Sequence, residues 1–140
     1  MATQQQVSIL TIGLDFDWAA ANLQEKIDTA AVRAAVMKGL KTLDGVEGLT
    51  HDLYLFVPDK EERVYVGEIE KKLRERAWDG IVVGWGVRAQ PDMTEVFERT
   101  VNLIKDVSPG SKLLFTGPAP DHFSAVKRNF PHLQPGKAAE

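Results

Sequence analysis

Apolar positions change their spacing along this chain in a regular way, and the changes mark alternating strands and helices. Val7–Leu14 is a run of strand length whose bulk comes from Val7, Ile9, Ile12 and Leu14. A polar, Asp-rich connection follows, from Asp15 to about Ile27. Between about Asp28 and Leu43, the residues Val32, Ala35, Val36, Leu40 and Leu43 share one face of a helical period. Asp28 or Thr29 serves as the cap of that helix. Gly45 and Gly48 break the chain, and Leu53–Val57 reads as a second strand stopped by Pro58. A second helix is expected from about Glu62 to Ala77, with Val66, Ile69 and Leu73 inward. Ile81–Gly84 is the third strand, apolar at successive positions as a strand buried on both faces would be. A third helix from about Pro91 to Val107 buries Met93, Val96, Phe97, Val101 and Ile104, and Ser108-Pro109-Gly110 ends it. Lys112–Thr116 is the fourth strand, and Asp121 caps a last helix on which Phe123, Val126 and Phe130 share a face.

Four βα units in succession predict a single α/β domain with a parallel sheet and helices on both faces. Right-handed crossovers give the strand order 2-1-3-4, a flavodoxin-like sheet without its fifth strand. The strands at Leu53–Val57 and Lys112–Thr116 then lie at the edges and are apolar. Exposed apolar edges invite pairing, so a homodimer built around the fourth strand is expected, unless the last helix or the tail covers that edge. Residues 1–6 and the proline-containing tail 131–140 are expected to be loose.

Composition narrows the function. The chain has 140 residues, 44% hydrophobic and 26% charged, with 17 basic and 20 acidic side chains. No basic stripe exists, so nucleic acid is not an expected partner. No cysteine is present, which excludes disulfides, thiolate nucleophiles and Cys-ligated metals. The first residues lack the positive start of a signal peptide, and Val7–Leu14 is too short to span a bilayer, so a cytoplasmic protein is expected. His51, His122 and His132 are scattered, and no His-based metal site is expected.

Candidate chemistry gathers where the chain reverses direction between the first and third strands, the usual ligand crevice of open α/β sheets. Asp15-Phe16-Asp17-Trp18 and Gly84-Trp85-Gly86-Val87-Arg88 wall that crevice, with Thr116-Gly117 beside them and Pro58-Asp59 on the other side. Arg88 can fork onto a carboxylate or phosphate. Its bland reading is an ion pair with Asp15 or Asp17. Asp15 and Asp17 are candidate general acids or bases, or else turn caps. Trp85 can wall a ligand or pack over the sheet end. Gly84 and Gly86 suit a tight turn or a close approach.

Known motifs do not fit. Gly84-Trp-Gly86-Val-Arg-Ala89 matches a dinucleotide fingerprint in letters, but it follows the third strand and Gln90-Pro91 separates it from the next helix. A response-regulator receiver needs an aspartate where Gly84-Trp85 stand. The Thr/Ser-rich loop that holds phosphate in flavodoxins is absent, and no serine sits at a nucleophile elbow.

From about Gly80 to Phe130 the chain resembles a group of small bacterial and fungal α/β proteins, Rossmann-like or flavodoxin-like, that has no assigned activity. The resemblance rests on Val82-Val83-Gly84-Trp85-Gly86-Val87-Arg88, on Phe97-Glu98-Arg99 with Val101-Asn102, on Leu113-Leu114-Phe115, and on Asp121 with Ala125-Val126-Lys127-Arg128. Ile9–Gly13 is similar to the group's first strand. Where the group's fourth strand ends in Asn-Thr, this chain has Thr116-Gly117. The resemblance implies the fold and marks Arg88 and Glu98.

These readings lead to one expectation and one alternative. The expectation is a cofactor-independent enzyme acting on an anionic or carbonyl-bearing metabolite. Asp15 or Asp17 would be its acid or base, and Arg88, Trp85, Gly84, Gly86, Thr116, Gly117 and Glu98 would bind the ligand. The alternative is a non-catalytic homodimer that binds a ligand or docks a partner.

Overall fold

Ile81, Val82 and Val83 have no solvent-accessible surface, so both faces of their strand are covered. Burying one such side chain contributes about 1.5–3 kcal/mol, which makes this run the anchor of the domain. It forms β3 (Gly80–Val83) in a four-stranded, all-parallel sheet ordered β2-β1-β3-β4, with β1 at Val7–Leu14, β2 at Leu49–Phe56 and β4 at Lys112–Phe115. The computed structural model describes residues 6–23, 28–58, 61–118 and 121–136. Leu10 pairs with both Asp52 and Ile81, and Val82 with both Thr11 and Leu114, which fixes the register across the sheet. The fold is the α/β architecture that the repeated βα pattern implies, and it is consistent with a flavodoxin-like sheet.

Helices cover both faces. One core joins Leu10, Ile12, Ile81 and Val83 to α3 (Glu62–Leu73) through Ile69 and Leu73, and to α5 (Thr94–Val107) through Val96 and Ile104. The other joins Ile9, Val82 and Leu114 to α2 (Thr29–Lys41) through Leu40, and to α6 (His122–Asn129) through Ala125 and Val126. Asp79 fastens the strands at their amino ends. It accepts from the Ser8 amide at 2.8 Å and donates its own amide to the Ser8 carbonyl at 2.9 Å. Its carbonyl takes the Lys112 amide at 2.9 Å.

Several boundaries differ from expectation, each for a local reason. The Asp15–Ile27 connection contains a helix, α1 (Phe16–Asn22), which Asp15 caps by accepting from the Trp18 amide at 3.0 Å. β2 begins at Leu49 rather than Leu53, because an edge strand tolerates the polar Thr50, His51 and Asp52. The Gly-Trp-Gly segment winds into a short helix, α4 (Trp85–Ala89), with Gly84 as its cap. A 3₁₀ turn at Pro91–Met93 then leads into α5. Gly45 and Gly48 adopt φ of 77° and 81°, left-handed turns in the connection between α2 and β2.

The tail is held as far as Gly136. Leu133 is buried, and Lys127 donates to the Pro131 and Leu133 carbonyls at 2.8 and 2.6 Å. A Cβ on Gly136 would lie 2.8 Å from the Asp44 carbonyl oxygen, so only glycine fits there. Residues 137–140 and 1–5 lie outside the described residues. The fourth strand is an edge, as expected. Arg128 of α6 donates to its Phe115 carbonyl at 2.9 Å, and Lys112 reaches the Asn129 carbonyl. Among the described residues no helix is long and apolar enough to cross a membrane.

Candidate functional site

Alternate residues of a strand face the same side of the sheet. On β1 that rule puts Val7, Ile9, Thr11 and Gly13 on one face, and their bulk falls toward the carboxyl end. The same decline occurs from Val82 to Gly84 beyond β3. Only Gly39 and Leu40 of the overlying α2 are buried, near its carboxyl end. Its earlier turns present Ala31, Val32, Ala35 and Val36 across a gap. The lower part of this face is therefore packed and the upper part is hollow.

The hollow is a cavity of about 480 Å³ at the strand ends on either side of the switch point. Leu14 at the end of β1, then Phe16, Ala19 and Leu23 along α1, close it, and Leu53 and Leu55 form its β2 wall. Gly84, Trp85, Gly86 and Gln90 come from the segment after β3, and Thr116, Pro118 and His122 from the segment around α6. Its volume falls within the range of about 300–1,000 Å³ typical of small-molecule sites.

Three residues that line the cavity each carry a buried polar atom without a hydrogen-bond partner: Thr11 Oγ1, Gln90 Oε1 and His122 Nδ1. Thr11 and His122 are only 3% and 2% exposed. Buried side-chain polar groups are normally paired, and leaving one unpaired costs about 1–3 kcal/mol. Among the described residues two other atoms share this condition, Trp18 Nε1 and Thr100 Oγ1, and neither residue lines the cavity.

Among the described residues of the wall, every side chain apart from His122 is non-ionisable. Burial, together with the nearby His51, pulls the His122 imidazole down to about 4, against a smaller opposing effect of Asp121. At neutral pH the imidazole is thus uncharged, with one nitrogen to donate and one to accept.

The structure distributes the sequence-predicted residues over three places. Gly84, Trp85, Gly86 and Thr116 line the cavity. Arg88, Gly117, Asp15 and Asp17 stand near the strand ends but off the cavity wall. Arg88 donates to the Thr116 carbonyl at 3.0 Å and stacks its guanidinium over the rings of Trp85 and Phe115, 4.9 and 5.5 Å from their centres. It pairs with neither aspartate; Asp17, its side chain 84% exposed, lies 3.7 Å from Arg33. Glu98 is exposed on α5, the helix that covers the opposite face of the sheet. Gly84 has φ −65° and ψ 157°, open to any residue, and a Cβ there would make ordinary contact with the Ile12 carbonyl oxygen at 3.4 Å, so neither the turn nor close packing demands glycine.

Thr11, Gln90, His122 and the α2 residues were not among the sequence candidates. The signal for Thr11 was present as a polar residue in the middle of an apolar strand. His122 follows a capping aspartate, and nothing in its sequence context distinguishes it. Among the described residues no three His, Asp or Glu side chains cluster as a metal site requires.

No protein-family model matches the chain, and neither a curated protein nor a solved structure matches it.

Proposed function

We propose that this protein binds a small molecule in the cavity between α2, α6 and the carboxyl end of the sheet. The observation that carries this reading is that three residues lining one cavity, Thr11, Gln90 and His122, each hold a buried polar atom without a partner. A fold that leaves such atoms unsatisfied loses stability, and a ligand that bonds them restores it. Binding is favoured over acid–base catalysis by the state of the ionisable groups. A general base works best with a pKa near the operating pH, and His122 at about 4 is far below neutrality. Asp17 is exposed, and Asp15 is engaged in capping α1.

A cofactor-independent enzyme acting on a carbonyl-bearing metabolite is the second reading. Its support is the place of Asp15 between Leu14 and Phe16, both on the cavity wall. Asn caps a helix about as well as Asp. Asp15→Asn therefore separates the readings: it leaves binding unchanged if Asp15 only caps, and removes turnover of a bound carbonyl compound if Asp15 is the acid or base.

The binding reading is tested by thermal shift with a fragment library. Compounds that raise the Tm of the native protein should lose their effect on Ala35→Trp, which fills the cavity from α2. They should keep it on Met37→Trp, which lies on the same helix away from the cavity. Equal shifts on both variants would place the ligand elsewhere.

A further inference from the structure

The residues that carry these unpartnered atoms also say which ligands the cavity suits. The unpartnered groups are a hydroxyl, an amide oxygen and a ring nitrogen. The remainder of the wall is mainly aliphatic or aromatic, with Phe16, Leu53, Leu55 and Trp85 the largest surfaces. Among the described residues no carboxylate, ammonium or guanidinium lines the cavity. An ionised ligand group placed against these residues would give up its hydration without a countercharge from them, which costs affinity. Arg88 does not offset it, because its guanidinium is held by the Thr116 carbonyl and the rings of Trp85 and Phe115.

Resting on the binding reading above, we infer that the ligand is an uncharged ring compound whose hydroxyl or carbonyl group is held by Thr11 and His122. A ligand hydroxyl can donate to one of these groups and accept from the other. A ligand carbonyl accepts from the Thr11 hydroxyl, or from Nδ1 in the tautomer that protonates it. Gln90 Oε1 takes a second donor where the ligand has one. The rings occupy the space between Trp85 and the α2 residues Val32 and Val36. Two unsatisfied protein atoms select for such a ligand more sharply than the apolar wall does. A site built to bond a hydroxyl rejects an analogue that lacks it, because its own polar groups are then left bare.

The test uses matched compounds on phenyl, cyclohexyl, indole and naphthalene skeletons. Each skeleton is tested bare and with a hydroxyl, an acetyl, a carboxylate or an aminomethyl group. Affinities are measured by calorimetry on the full chain at pH 7. The best hydroxyl or acetyl compound should bind at least ten-fold tighter than its carboxylate and aminomethyl counterparts. Thr11→Val should weaken that compound about ten-fold and leave the bare skeleton unchanged, Thr11→Ser should restore it, and His122→Phe should repeat the loss. A preference for the carboxylate, lost in Arg88→Ala, would overturn the inference while leaving a small-molecule site in place. Binding that ignores Thr11 and His122 would overturn it too. Absence of binding by every skeleton would overturn both the inference and the binding reading beneath it.

Discussion

The Arg88 guanidinium donates to the Thr116 carbonyl at 3.0 Å, so an arginine that follows β3 holds the chain as it leaves β4. The bond spans the gap between two parallel strand ends that no backbone bond closes. It also presses the guanidinium over Trp85, and Trp85 lines the cavity.

Arg88→Ala should therefore act mainly on stability. Loss of one charged hydrogen bond and two ring contacts predicts destabilisation by about 1–3 kcal/mol, read as a lower urea midpoint. Affinity for an uncharged cavity ligand should change less than about three-fold, which is well under 1 kcal/mol. An unchanged midpoint combined with abolished binding would reverse these roles.

Thr11→Val should stabilise the ligand-free protein. The substitution keeps the shape of the side chain and removes a buried hydroxyl that lacks a partner. The expected gain is about 1 kcal/mol, seen in the urea midpoint at pH 7. A loss of similar size would mean that the hydroxyl has a partner, such as an ordered water.

His122 gives stability a signature in acid. Its folded pKa of about 4 lies below the ordinary value of 6.5, so the unfolded chain takes up a proton first as pH falls. Stability should be flat with respect to this group above 6.5 and should decline between 6.5 and 4, by roughly 3 kcal/mol at the acid end. Asp121 contributes in a separate window. Its hydrogen bonds from Ser124 hold its carboxyl below 3.8, so that contribution disappears only at more acid pH. Urea melts at pH 7 and 4.5 should show the decline in the native protein and its absence in His122→Gln. An equal decline in the variant would assign it to other groups.

Trp85 should report on occupancy. Trp18 and Trp78, the other tryptophans, do not line the cavity. A ligand that enters it should change the emission of a variant keeping Trp85 alone, and should leave a Trp85→Phe variant silent. A signal that survives without Trp85 would locate the ligand away from this wall.

Gly80→Ala tests the packed half of the same face. A Cβ there would lie 2.8 Å from Ile9 Cδ1 and 2.9 Å from Leu114 Cδ1, both core atoms. Overpacking of this kind costs about 1–3 kcal/mol, to be read in the urea midpoint. No change would show that the core beside β3 has slack.

The sheet was legible in the sequence because Ile81-Val82-Val83 and the alternating βα punctuation leave few topologies open. α1 was not, because Asp15 and Asp17 read as loop residues until Asp15 is seen to cap a helix. The start of β2 was hidden by Thr50, His51 and Asp52, whose polarity an edge position permits. At the site, sequence reasoning looked for charge and so singled out Arg88, Asp15, Asp17 and Glu98, none of which lines the cavity. Gly84, Trp85, Gly86 and Thr116 followed from the switch point itself. What defines the cavity is missing bulk at Gly13 and Ala35 together with unsatisfied polar atoms. Neither is a property of any one residue type.

The fall in bulk from Val7 to Gly13 has an evolutionary consequence. The residues that hold the sheet together lie at one end of the strands, and those that face empty space lie at the other. Exchanges at Leu55 or Val32, which line the cavity and do not belong to that core, can change what fits without loosening Ile9, Val82 or Leu114. Stability and specificity, which commonly trade against each other in one pocket, can here drift separately.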